Sequence, residues 1–516
     1  MKYRIERDSL GEVRVPAGAW YGGQTRRAVE NFPISGLTAP PELVEATVLI
    51  KKAAAEANRD LRRLPADIAG AIVRAADEIL EGSLRDQFVV DVYQAGAGTS
   101  HNMNANEVIA NRAADLLGGT RGTYTRVHPN DHVNMGQSTN DVFPAATRLA
   151  ILAMQPGLLA AAKSLAGTLS TKSRAFANVL KTGRTHLQDA VPMTLGQEFS
   201  GYAANVARGA EELARTSRQL TELNLGATAV GTGLNAGEDY TRKVIANLRR
   251  HTGLPLRSAA NPFRVTQSMG DVTAYSGALR RLSVEVGKIA SDLRLLSMGP
   301  RAGLAEIRLP AVQPGSSIMP GKDNPSIPEM VNQVSFQVLG CDATIAAAAE
   351  AGQLELNVMM PVIAWNALHA TRIMREAMTV FEARCVAGIE ADEARCRELL
   401  ERSTAVATAL APYVGYEATA EVAKESVRTG RPVRDLVRER GLLPEAELDS
   451  ILSPEAMTSP GVVGRRERRG KDAKTGGNRR ARRGRRSVGG RRATAAAGTP
   501  AAVPAGASGT SRRTGS

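Results

Sequence analysis

Apolar residues recur along much of this chain at the spacing of one helix face, not in the alternation of a strand. Leu279, Leu282, Val286, Ile289, Leu293 and Leu296 follow a 3-4-3-4-3 spacing, a heptad seam. Val331, Val334, Val338, Cys341 and Ile345 repeat it. The first run predicts a helix from about Gln267 to Leu296, roughly 45 Å long at helical rise. Long helices with narrow seams pack as near-antiparallel bundles, and their partners here include helices of neighbouring subunits. The expected class is all-α. Nowhere do 18 apolar residues run together, so no membrane span is expected.

Between the helical stretches lie four polar segments that do not read as ordinary connections. They are GAGTSHNMNANE (Gly96–Glu107), HPNDHVNMGQSTND (His128–Asp141), TGRTHLQDAVPM (Thr182–Met193) and PGSSIMPGKDNP (Pro314–Pro325). Each is dense in Ser, Thr, Asn or His, and four in one chain suggest a site assembled from several places. They offer hydroxyls (Thr99, Ser138, Thr139, Thr185), amides (Asn140, Asn324) and cations (Lys322, with His186), a set suited to a small, doubly anionic substrate. The last segment is not a P-loop. Five residues separate Gly315 from Gly321, and Asp323 follows Lys322 where a hydroxyl would be needed. GAGTSH is not a dinucleotide fingerprint either, because His101 stands at the third glycine position. His101, His128 and His132 lack metal-ligand spacing, so no metal site is expected. These residues by themselves point to an enzyme acting on a small carboxylic acid.

Charge changes the picture at one place. The net charge of +14 suggests nucleic acid until it is divided along the chain. From Gly464 to Ser516 there are 16 Lys and Arg against Glu467 and Asp472, while the remainder holds 50 basic and 50 acidic side chains. All the basicity sits in a C-terminal tail poor in large apolar residues. That tail is expected to be disordered, with contact to polyanions as its functional alternative to simple solvation. Aromatic residues are only 4%, which disfavours an aromatic-cored β-sandwich. Three cysteines without C-x-x-C spacing, and charges where a signal peptide would be apolar, predict a soluble cytoplasmic protein.

The segment GSSIMPGKDNP resembles the G-S-S-x-M-P-x-K-x-N-P signature of the fumarase/aspartase superfamily. The resemblance runs from Tyr21-Gly22 and Glu30-Asn31-Phe32-Pro33 to about Val462, leaving out only the tail. Within the superfamily GAGTS (Gly96–Ser100), QSTND (Gln137–Asp141), HLQDAVP (His186–Pro192) and NLGATA (Asn224–Ala229) resemble the aspartase branch. RVHPND (Arg126–Asp131) resembles the fumarases, and His101 and Asp323 fit neither pattern well.

The resemblance implies an all-helical subunit of three domains, whose central helices build a twenty-helix homotetramer core. The boundaries expected are 1–140, 141–395 and 396–463, followed by the tail 464–516. It implies reversible deamination of L-aspartate to fumarate and ammonia, with class II fumarate hydratase as the alternative. Ser316 would be the base that takes the Cβ proton. His186 would be a second catalytic or binding group. Thr99, Ser138, Thr139, Asn140, Thr185, Ser317, Lys322 and Asn324 would hold carboxylates. Glu329 would fix the tautomer of His186, and His128, Asn130 and Asp131 match the secondary carboxylate site of fumarases. No organic cofactor is implied; some aspartases respond to divalent cations, but no ligand set for one is recognisable. Geometry adds one expectation. A helix from Asp141 to near Thr182 would be roughly 60 Å long if Pro156-Gly157 does not break it. The loops at its two ends can then share a site only across subunits.

Overall fold

The structure, a computed structural model, describes residues 2–462; residues 463–516, which contain the tail expected to be disordered, lie outside the described residues. An N-terminal hairpin of β1 (Tyr3–Asp8) and β2 (Gly11–Pro16) leads into α1 (Gly23–Asn31), α2 (Pro41–Asp60), α3 (Ala66–Leu80) and α4 (Thr99–Leu116). Helix α5 (Thr139–Ala175) follows, then a hairpin of β3 (Leu180–Thr185) and β4 (Gln188–Thr194). Next come α6 (Leu195–Ser217), α7 (Glu238–Thr252), α8 (Pro262–Gln267), α9 (Gly270–Leu296), α10 (Ser326–Glu350) and α11 (Met360–Arg384). Six short helices close the described chain: α12 (Glu393–Arg402), α13 (Ala407–Val414), α14 (Tyr416–Thr429), α15 (Val433–Glu439), α16 (Glu445–Ile451) and α17 (Pro454–Thr458).

The predicted seams are the core of the bundle. All six seam residues of α9 are buried, as are Val331, Val338, Cys341 and Ile345 of α10, with Val334 half-buried beside them. The α9 helix starts three residues later than expected. Gln267 ends α8, and extended Ser268 breaks the run before Gly270.

Helix α5 runs unbroken for 37 residues through Pro144 and Pro156, about 55 Å at helical rise. Its composition would suffice to cross a bilayer, yet its faces are packed against α2, α6 and α11. It stops at Ala175, so Thr182 lies in β3 and not at the helix end.

Side-chain contacts give the helix directions. Tyr202 Oη donates to Asp292 Oδ2 at 2.8 Å and Arg281 pairs with Glu212, which makes α6 and α9 antiparallel. Asn332 Nδ2 donates to Ser291 Oγ at 3.0 Å and Ser276 Oγ to Asp342 Oδ1 at 2.6 Å, which makes α9 and α10 antiparallel. Fully buried Arg148 of α5 pairs with Asp271 at 2.7 Å and sets the start of α9 beside the start of α5. The bundle therefore has an upper end with the N-termini of α5, α9 and α11, and a lower end with the N-termini of α6 and α10 and the β3–β4 hairpin.

Apolar residues gather in a main core along α5–α6 and α9–α11. A second core joins α2, α3 and α4, and a third lies among α12–α16.

Candidate active site

At the upper end the polar segments are built-in parts of helices. Gly96–Glu107, expected as a loop, is mostly the first half of α4, with Ser100 through Glu107 buried. Asn104 and Glu107 can be buried because their polar atoms have partners, whereas the Asn102 and Asn106 side-chain oxygens are buried without one. Asn104 takes the Val89 N–H and donates to the Gln87 carbonyl. Glu107 accepts from the N–H groups of Gly22, Gln24 and Thr25 and from the Thr25 hydroxyl, closing the N-terminus of α1, while burial raises its pKa. His101 is also structural. Its Nε2 meets Thr47 Oγ1 at 2.9 Å, and burial lowers its pKa to about 4.

Ser138 is the N-cap of α5, in a reciprocal capping box with Asp141. Asp141 also accepts the N–H of Gly226 at 3.1 Å and of Thr228 at 3.0 Å, tying the NLGATA segment to the helix start. Its carboxyl is fully buried and pushed up to about 7 by desolvation. Beneath it Lys51 donates to Asn134 Oδ1 and Gln137 Oε1, and burial brings its pKa down to about 7. Asn102 Nδ2 donates to Thr139 Oγ1 at 3.1 Å, so that oxygen is engaged as an acceptor and the Thr139 hydroxyl proton is free for a ligand. Asn140 donates to the Ala229 carbonyl at 2.8 Å, while exposed Thr99 begins α4. Thr99, Ser138, Thr139 and Asn140 are thus brought together at two helix N-termini, where the macrodipole favours an anion.

The lower end is more open. The Pro314–Pro325 loop is bonded mainly to itself. Gly315 N donates to the Lys322 carbonyl at 2.9 Å, and Asn324 Nδ2 to the Gly315 carbonyl at 2.6 Å. A Cβ on Gly315 would lie 2.2 Å from that Lys322 oxygen, so only glycine closes the loop. Ser316 Oγ accepts the N–H of Ile318 at 3.2 Å and of Met319 at 3.0 Å. Lys322 Nζ donates to Asn324 Oδ1 at 2.8 Å, and Ser317 is exposed. Thr185 and His186 stand exposed at the tip of the β3–β4 hairpin, where the sequence predicts a loop. His186 and Leu187 have φ of +55° and +58°, as a two-residue type I′ connection requires. Glu329 lies in the first turn of α10, and within one chain it makes no hydrogen bond to His186.

His128, Asn130 and Asp131 form a separate feature. Pro129–Val133 is a π-helical turn in which His128 Nδ1 accepts the N–H of Asn130 at 3.3 Å and of Asp131 at 3.1 Å. Beside it a cleft of about 570 Å³ is lined by Arg27, Tyr124, His128 and Asn130. Among the described residues no group of three or more His, Cys, Asp or Glu is gathered to hold a metal.

Known proteins share this frame. A lyase family model matches residues 11–340, and a model of the fumarase C C-terminus matches residues 406–459. The chain belongs to the fumarase/aspartase family of lyases. An aspartate ammonia-lyase of a Bacillus species is 50% identical over 463 residues, covering 90% of this chain and 99% of that protein. A class II fumarate hydratase of Halobacterium salinarum is also 50% identical, over 466 residues covering 89% of this chain and 98% of that protein. Among solved structures, a fumarate lyase:delta crystallin from Brucella melitensis bound to cobalt has a TM-score of 0.86 at 51% identity, covering 89% of this chain and 100% of its own. Class II fumarase from Schistosoma mansoni has a TM-score of 0.85 at 36% identity, covering 88% of this chain and 99% of its own.

For a fumarase/aspartase-family chain, sequence reasoning overlooked the support beneath the site: Lys51, Asn102, Asn134 and Glu306. Lys51 and Glu306 stand in helical or connecting sequence with no local motif. Asp141 and NLGATA were noticed, and a Ser-x-x-Asp capping box was the available signal of their role.

Proposed function

We propose that the protein is an aspartate ammonia-lyase acting as a homotetramer in the cytoplasm. The observation that carries the reading is the Ser316 oxygen seated on two backbone N–H groups. A serine hydroxyl is far too weak a base to take a proton from carbon unless its anion is stabilised, and two fixed donors aimed at Oγ favour that anion. The Cβ proton of L-aspartate passes to Ser316 Oγ, and the electron pair is held as an aci-carboxylate. It then forms the Cα–Cβ double bond as the C–N bond breaks and ammonia leaves with its proton. Lys322, Asn324 and Ser317 grip one carboxylate. Thr99, Ser138, Thr139 and Asn140 receive the other at the paired helix N-termini, and Thr185 and His186 complete the enclosure with Glu329 orienting the imidazole.

Upper and lower groups lie about 55 Å apart along α5, so a complete site draws on several chains. The surface for that assembly is apolar: Phe336 of α10 is 69% exposed, and Leu339, Val284 and Leu295 are exposed with it. The free, buried thiols of Cys341, Cys385 and Cys396 support a reducing compartment.

The competing reading is fumarate hydratase, favoured by the RVHPND segment and its cleft. Purified protein offered L-aspartate and L-malate separately, with fumarate followed by its ultraviolet absorbance, decides between them. Turnover of aspartate without comparable turnover of malate is expected; equal or faster reaction with malate would move the protein to the hydratases.

A further inference from the structure

Beneath the His186 tip lies a buried charge cluster that the proposed chemistry does not use. Glu306 is fully buried. Its carboxylate receives both terminal nitrogens of Arg184, at 3.0 and 2.9 Å, and the Lys181 ammonium at 3.1 Å. Lys181 is buried too and donates onward to Glu198 of α6 at 2.6 Å. The Tyr202 hydroxyl lies 3.1 Å from Glu198 and donates its one proton to the nearer Asp292 of α9, at 2.8 Å; Asp292 is itself paired with Lys288. The four central charges cancel.

Lys181 and Arg184 are three residues apart, a spacing that faces opposite sides of a flat strand. The β3–β4 ladder slips its register between Thr182 and Arg184, with Gly183 opposite two residues of β4. Such a bulge twists the ladder and re-aims side chains, and here both cations converge on one carboxylate. Gly183 permits this, because a Cβ there would lie 2.7 Å from the Val191 carbonyl oxygen.

Glu306 fixes more than the hairpin. Its backbone N–H donates to the Leu296 carbonyl at the end of α9, and its carbonyl accepts the Asp392 N–H just before α12. Eight residues later, at Pro314, the same stretch of chain becomes the serine loop. Directly after Arg184 the chain enters Thr185 and the two positive-φ residues His186 and Leu187, a strained conformation that persists only when its surroundings hold it.

We propose that Arg184 and Glu306, with Lys181, are positioning residues: a buried anchor that holds the Thr185–His186 tip in its strained turn and in register with the root of the serine loop. This rests on the reading of His186 as a site residue.

The test uses the full chain. Arg184→Lys keeps the charge and loses the fork; Glu306→Gln keeps the volume and loses the charge, and serves if the first variant fails to fold. For whichever dicarboxylate the wild type converts, kcat/KM should fall at least ~10-fold, close to the effect of His186→Ala. In a Thr185→Ala/His186→Ala background, adding Arg184→Lys should cause no further slowing, because the anchor acts through the tip. Backbone amide exchange over 185–189 should quicken, while Arg112→Gln, which breaks a comparable fork to Glu78 between α4 and α3, leaves both exchange there and activity unchanged. Multiplying lesions, or a loss of activity without faster exchange at the tip, would overturn the proposal. Exchange is read without substrate, so a wild type inert toward both aspartate and malate would sink the functional reading alone and leave the anchor to be judged on exchange.

Discussion

The two ends of the bundle carry the same kinds of residue in opposite physical states. At the upper end Ser138, Thr139 and Asn140 are locked by Asp141, Asn102 and the Ala229 carbonyl, over a floor of buried Lys51 and half-buried Asn134. At the lower end Ser316 and Lys322 bond within their own loop, and His186 projects from a two-residue turn. Recognition of a carboxylate needs a fixed set of donors, and prepaid order lowers the cost of binding. Proton removal needs a group that can meet the substrate and then let it go, which favours a segment with few ties to the core.

The comparison can be broken most sharply at Ser316. Ser316→Ala should lower kcat by at least ~10³, about 4 kcal/mol of transition-state stabilisation, with the assembly intact. If the variant kept more than a tenth of wild-type kcat, the lower end would not supply the base. Next, Ser316→Ala and Asn140→Ala chains, each inactive alone, should regain activity when dissociated together and reassembled. Hybrids then contain some sites with both lesions and some with neither. Failure to recover activity in proven hybrids would show that one chain holds a whole site.

The rigidity of the upper end is checked by Asp141→Ala, which strands the N–H groups of Gly226 and Thr228. It should cost about 3 kcal/mol in urea unfolding, whereas Asp323→Ala in the serine loop should cost under about 0.5 kcal/mol. His101 tests the same end by pH. The native imidazole stays neutral down to about 4 against 6.5 for a free one. The unfolded chain therefore binds a proton that the native state refuses, and stability present above 6.5 is lost as pH falls toward 4. The loss is at most about 3 kcal/mol, and His101→Gln should flatten that limb of the stability–pH curve. A modest effect on binding is expected for Asn102→Ala. Releasing the Thr139 oxygen should raise KM about tenfold with kcat little changed.

Legibility followed the reach of each interaction. The α9 and α10 seams repeat every seven residues, so Leu279–Leu296 and Val331–Ile345 announced their helices locally. The serine loop was equally plain, since its glycine and its hydrogen bonds all fall within Pro314–Pro325. Helix α4 reads as a loop in sequence because Asn102, Asn104 and Asn106 are poor helix formers in isolation; in the fold Gln87 and Val89 bond Asn104 on both sides, and Asn134 accepts from the amides of Asn102 and Asn106. The β3–β4 hairpin was hidden for a related reason. Its turn is His-Leu in place of the usual Asn-Gly, and its hold comes from Glu306, more than a hundred residues away.

The length of α5 has a consequence for the protein at low concentration. On the proposed shared site, a subunit whose donors and base are separated by the whole height of the bundle would be inert by itself, and turnover would report how many chains have found one another. Diluting the protein should depress its specific activity along the same curve as its loss of mass, by mass action and without any change in a subunit's own fold. A newly made chain would stay silent until its partners arrive.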